Sequence, residues 1–100
     1  MFVNVGRFRF RPVGQDEQQR LMQSIEQDIP PIARESPGFR GVYFARLSDD
    51  ELMTVWLWDT EADWEAALAR MGPLLQRHVV PHLAQPPERV GGEVVAQVTP

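Results

Sequence analysis

Hydrophobic and polar residues alternate strictly over residues 2–11. Phe2, Asn4, Gly6, Phe8 and Phe10 fall on one side, and Val3, Val5, Arg7, Arg9 and Arg11 on the other. A period of two predicts a strand, and Pro12 and Gly14 predict its end. From residue 15 the period changes. Leu21, Met22, Ile25 and Ile29 recur at helical spacing, with Asp16 and Glu17 in the first turn, where carboxylates meet the positive end of the helix dipole. Pro30-Pro31 predict the end of this helix, and "ESPGF" at 35–39 a turn. Residues 39–47 read as a second strand, 48–51 as a hairpin turn rich in Asp and Ser, and 52–58 as a third strand antiparallel to the second. Thr60 then opens a helix as its N-cap, with Asp63 in a shortened capping box. Trp64, Ala67, Leu68 and Met71 form one helical stripe. Gly72-Pro73 predict a break and a short new helix, residues 85–92 a loop, and residues 93–98 a last strand.

The order is β-α-β-β-α-β. For an α+β chain its simplest architecture is a ferredoxin-like split βαβ, a four-stranded antiparallel sheet with helices on one face. Such a sheet normally turns polar side chains to its open face. The third strand does not: Leu52, Trp56 and Trp58 point one way, and Met53, Val55 and Leu57 the other. In the second strand Tyr43 and Ala45 oppose Val42 and Phe44. Both faces therefore call for burial, and a second copy of the same sheet is the simplest cover, because monomers rarely expose apolar patches of several hundred Å². The expectation is a homodimer with its sheets face to face.

One hundred residues predict a single domain spanning residues 1–100. There is no cysteine, which excludes disulfides, thiolate metal sites and a cysteine nucleophile. The N-terminus breaks into arginines unlike a signal peptide, and no apolar run approaches the ~18 residues of a membrane span. The expectation is a soluble, cytoplasmic protein without a membrane partner. A net charge of −4 argues against nucleic acid as a partner. An RNA-recognition fold shares the element order, but Val42 stands where the first stacking aromatic of "RGVYFARL" belongs. P-loop, nucleophile-elbow and dinucleotide fingerprints are all missing, which leaves chemistry that needs few catalytic groups.

Residues 36–68, "SPGFRGVYFARLSDDELMTVWLWDTEADWEAAL", resemble the core of antibiotic biosynthesis monooxygenase-like domains of the dimeric α/β-barrel superfamily. The resemblance lies in Pro37-Gly38-Phe39, Gly41, the hairpin turn, a strand ending at Trp58, Asp59-Thr60 and the acidic first turn of the next helix. It implies a ferredoxin-like protomer, a dimer closed into a barrel and a pocket between helices and sheet. Some members oxidise phenolic or anthrone-like compounds with oxygen and no cofactor, others degrade haem, and others have no known substrate. Asn4 matches the strand Asn of the haem-degrading branch, and His78 lies within a residue of its iron-binding His. Ala67 falls at or beside the position of that branch's helix Trp. In the quinone-forming branch a Trp ends the third strand, as Trp58 does here, and an Asn four residues earlier is Thr54 in this chain.

The candidate site follows from both readings. His78 and His82, spaced i, i+4, suit a metal pair on a continuous helix, but Pro81 lies between them and no third ligand is near, so the expectation is no metal and no cofactor. His78 is either a general base for a phenolic proton or a helix-face histidine. Asn4 is either an oxyanion donor or a local backbone partner. Asn4, Trp58 and His78 are the catalytic candidates. Phe8, Tyr43, Trp56 and Trp64 are the substrate-binding candidates, as aromatic walls for a flat ligand or as core. The reading is a cofactor-independent monooxygenase of small aromatic substrates. A non-catalytic dimeric barrel binding a hydrophobic ligand is the alternative, and haem degradation comes third.

Overall fold

The computed structural model describes residues 1–100. Its elements are β1 (Phe2–Arg9), α1 (Gln15–Glu35), β2 (Phe39–Ser48), β3 (Glu51–Trp58), α2 (Glu61–His78), a 3-10 turn (Val80–His82) and β4 (Glu88–Glu93). The sheet order is β2-β3-β1-β4, and every pairing is antiparallel. This is the ferredoxin-like arrangement that the periodicity predicts. Both helices pack on one face, where Leu21, Ile25, Ile29 and Ala33 of α1 and Trp64, Ala67 and Met71 of α2 meet Phe2, Phe8, Leu52, Trp56 and Trp58 of the sheet in one core. No helix is long and apolar enough to cross a membrane.

Both helices run through the prolines expected to end them. α1 contains Pro30 and Pro31 and continues to Glu35, and α2 contains Pro73. Each proline removes one backbone hydrogen bond from the helix interior. The buried stripe nevertheless continues past them, through Ile29 and Ala33 in α1 and Met71 and Val79 in and beyond α2, while Pro31 and Pro73 face solvent. Tertiary burial of the far side outweighs the local break. At its N-terminus α2 behaves as expected: the Asp63 N–H donates to Thr60 Oγ1 at 3.1 Å.

The last strand lies five residues earlier than the sequence suggests, at 88–93 instead of 93–98. The chain leaving α2 is pinned beside the end of β1, where Phe10 bridges Leu83 and Ala84 N–H donates to Arg9 C=O at 2.8 Å. Running back along β1 from there, it reaches Phe2 at Glu93. Residues 94–98, expected to form the strand, therefore lie beyond the ladder with β1. The glycines assigned to a loop sit inside β4 instead. A Cβ on Gly91 would lie 2.7 Å from the Phe2 ring, so the ladder closes there only because the side chain is missing.

The open face of the sheet carries Val3, Val5, Arg7 and Arg9 of β1, Tyr43 and Ala45 of β2, Met53, Val55 and Leu57 of β3, and Val90 of β4. Val90, Val5, Val55 and Tyr43 stand in register as one row across all four strands. Tyr43 is 67% exposed and Val90 68%. Beside the row, Glu51 accepts from Arg7 at 2.7 Å and also pairs with Arg9.

Candidate functional site

The alternation of β1 and β3 puts Asn4, Gly6 and Phe8 on the helix side beside Leu52, Thr54 and Trp56. In register, Asn4 faces Trp56 and Gly6 faces Thr54. On the other side of β1, Gly91 stands beside Asn4, and Arg89 beside Gly6. All of these except Gly91 form the floor of a cavity. Its roof comes from the inner stripes of the helices, with Ile25 and Ile29 of α1 and Trp64, Met71 and Leu75 of α2. Phe10, Phe44 and Val79 complete the wall. The gap in the floor exists because residue 6 is glycine. A Cβ there would lie 2.9 Å from the Phe8 ring and 2.9 Å from Thr54 Oγ1.

The free space is about 30 Å³, the share of one water molecule in the liquid. Pockets for flat organic ligands run to about 300 Å³ and more, so a ring enters only when the helices and the sheet part. A broad groove of about 910 Å³ lies outside, and Leu75 and Arg89 line both spaces.

Three groups around this apolar space are short of partners. Asn4 is 6% exposed and Thr54 is 5% exposed, yet neither side chain enters any hydrogen bond of the protein. The Trp58 indole N–H is fully buried and also has no acceptor. Buried polar groups are nearly always satisfied, and each unpaired one costs about 1–3 kcal/mol. Of the three, only the Trp58 N–H is sealed from solvent as well as unpaired; Asn4 and Thr54 line the cavity, where a ligand oxygen could meet them. Arg89 is the single charged residue on the wall. Partial desolvation by its neighbours pushes its pKa down from the usual arginine value, although the residue as a whole is exposed.

The tryptophans form one packed cluster. Trp56 and Trp58 stack with centroids 6.0 Å apart, and Trp64 closes on them at 5.8 and 5.9 Å. Phe39 meets Trp58 edge-on at 5.3 Å. Trp56 and Trp64 reach the cavity, whereas Trp58 is 0% exposed and lies behind them.

Of the residues singled out from sequence, Asn4, Phe8, Trp56 and Trp64 come together on one wall. Three others stand elsewhere. Trp58 belongs to the packing behind the wall. Tyr43 points from the open face of the sheet, since it is in register with Val55 and not with Trp56. His78 ends α2 on its outer side, where Nε2 lies 3.7 Å from Asp28 Oδ2 of α1. A base at His78 would have to act through the helix layer, so the direct proton-acceptor role drawn for it does not fit this cavity. His78 and His82 both border a separate shallow groove. The chain holds no group of three or more His, Asp or Glu side chains placed to share a metal ion.

Sequence reasoning passed over Thr54, Gly6 and Arg89 as site residues. Thr54 had a signal, as the one polar side chain on the buried face of β3, and so did Gly6, as a gap in an aromatic alternation. Arg89 had none once its strand was taken for a loop.

No family model matches the chain, and no curated protein does. Solved structures match it over nearly its whole length. A monooxygenase of Streptomyces coelicolor, in complex with nanaomycin D, is 22% identical with a TM-score of 0.78, covering 99% of this chain and 91% of its own. SnoaB, a cofactor-independent oxygenase from Streptomyces nogalater, is 15% identical with a TM-score of 0.77, covering 97% and 95%. A dimeric ferredoxin-like protein from an uncultured marine organism is 12% identical with a TM-score of 0.74, covering 99% and 91%. The chain thus has the ferredoxin-like fold of the antibiotic biosynthesis monooxygenase-like structures.

Proposed function

We propose that this protein is a cofactor-independent oxygenase of small electron-rich aromatics, hydroquinones or anthrones, that works as a homodimer. The observation that carries the reading is the pair Asn4 and Thr54. Both are buried, both lack protein partners, and both border a cavity walled by Trp56 and Trp64. A flat ring held against the tryptophans would bring its oxygen to the Asn4 amide and the Thr54 hydroxyl. The fold supports the reading, because it is also that of the Streptomyces oxygenases.

The chemistry asks little of the protein. For an anthrone, water takes a proton from the ring methylene, and the Asn4 amide N–H stabilises the enolate oxygen as charge develops. The enolate passes one electron to dioxygen. The two radicals combine into a carbon–oxygen bond, and the resulting hydroperoxide loses water. The methylene becomes a carbonyl, with one oxygen atom in the product and the other in water. Trp56 and Trp64 hold the ring in place and exclude solvent.

Oxygen uptake by metal-free protein with a panel of hydroquinones and anthrones tests this. Removing one oxyanion donor costs about 10²–10³ in rate where it matters, so Asn4→Ala should lower turnover by about that factor. Equal turnover in wild type and Asn4→Ala would overturn the reading. One observation favours a second reading, a non-catalytic barrel that binds an aromatic ligand: apart from Arg89 no titratable side chain lines the cavity. Tryptophan quenching by the panel without protein-dependent oxygen uptake would select it.

A further inference from the structure

Arg89 has an unusual position for a charge. It stands on the helix side of β4, and Gly6 separates it from Thr54. Gly6 has no side chain, so Arg89 and Thr54 border the same gap in the floor. Arg89 and Leu75 are the two residues shared by the inner cavity and the outer groove. They form the threshold between them.

The Arg89 side chain at this threshold is exposed and has no counter-ion. Arg7 and Arg9 are held by Glu51, Arg40 by Asp59 and Arg70 by Glu35, but no ion pair involves Arg89. No side-chain hydrogen bond reaches it either. Arginine stays protonated at any pH a folded protein meets. With no partner in the protein, the Arg89 guanidinium is free to meet an incoming anion with a forked pair of hydrogen bonds.

Taking the cavity as a ligand site, the geometry points to Arg89 as the anchor for an anionic group on the ligand. The site takes a flat aromatic acid, with its carboxylate on Arg89 at the threshold and its ring against Trp56 and Trp64. This narrows the substrate class from electron-rich aromatics to those that carry an acidic substituent at one edge. It also gives the ligand a direction, ring inward and acid outward.

The test is a titration of tryptophan fluorescence with 2-naphthoate and with its neutral isostere 2-naphthamide. Wild type should bind the acid at least about ten-fold more tightly than the amide, the ratio a charge-assisted hydrogen bond supplies. Arg89→Met and Arg89→Gln should bring the two affinities together, and Arg89→Lys should keep part of the preference. Far-UV circular dichroism checks that each variant is folded. Should neither variant fold, salt decides in wild type: the acid's affinity falls toward the amide's as salt rises to about 0.5 M, where charges more than a few Å apart are screened. Equal binding of acid and amide by wild type, or a preference that survives Arg89→Met or about 0.5 M salt, overturns the role of Arg89 and leaves the cavity as a site. Binding of neither compound overturns both.

Discussion

Thr54 and Gly6 face each other across two strands, and their opposite constraints make the site testable at single atoms. Thr54 is buried and its hydroxyl makes no hydrogen bond within the protein, so exchanging it for a methyl removes an unpaired polar group at almost constant volume. Thr54→Val should leave the fold unchanged or stabilise it by up to about 1 kcal/mol in urea unfolding, while binding and turnover fall. A loss of stability would show that the hydroxyl has a partner after all. Gly6→Ala works in the other direction. Its Cβ meets Phe8 and Thr54 Oγ1 at 2.9 Å, and Phe8 is locked in the core. Overpacking of this kind costs about 1–3 kcal/mol, so the urea midpoint should drop and the cavity should close. The sequence exposed Asn4, Phe8, Trp56 and Trp64 because each is conspicuous for its chemistry on a patterned face. Gly6 and Thr54 left only faint marks, a gap in one alternation and a polar exception in the other, because their importance is a matter of what is missing around them: a side chain in one case and a hydrogen-bond partner in the other.

Elements were legible where local signals and tertiary burial agree, and obscure where they compete. Thr60 illustrates agreement. Its side chain accepts the Asp63 N–H, and Thr60→Ala should cost about 1 kcal/mol, read as a lower urea midpoint with the same slope. Pro30, Pro31 and Pro73 illustrate competition. Taken locally they break helices, yet Ala33 beyond Pro31 and Val79 beyond Pro73 are buried, and packing carries the helices through. β4 was obscure for a third reason. Its six residues, "ERVGGE", carry no alternation, and its place is set by Leu83 docking beside Phe10. At the other edge of β1, Glu51 joins β3 to Arg9 and Arg7. The hydrogen bond from Arg9, then that from Arg7, holds its carboxyl below the usual 4.5. A depressed folded pKa means the pair stabilises above the unfolded value and is lost as pH falls through the folded one. Wild type should therefore lose stability as pH drops below 4.5, and Glu51→Gln should show a shallower acid slope in thermal melts at stepped pH.

At the scale of the whole molecule, the open sheet face is the feature one copy leaves unresolved. The helices bury one side of the central strands β1 and β3. The other side presents Val90, Val5, Val55 and Tyr43 in one row. This row lies next to the pairs Arg7–Glu51 and Arg9–Glu51. An apolar centre with charge at its border has the anatomy of a protein interface. Two such faces related by a two-fold axis would cover each other's valines and tyrosine. That geometry also bears on the cavity, because Asn4 and Thr54 alternate along their strands with Val3, Val5 and Val55, so a sheet clamped from outside holds its inner floor still. Val55 stands at the middle of the row. Val55→Arg would place a charge in the centre of the paired faces without touching the helix side. Light scattering should give twice the 11.4 kDa chain mass for wild type and the chain mass itself for Val55→Arg, with far-UV circular dichroism unchanged. Oxygen uptake should fall with the dimer if the clamp matters. A wild-type mass of 11.4 kDa at micromolar concentration would show instead that the face stays open in solution, and the homodimer would be withdrawn.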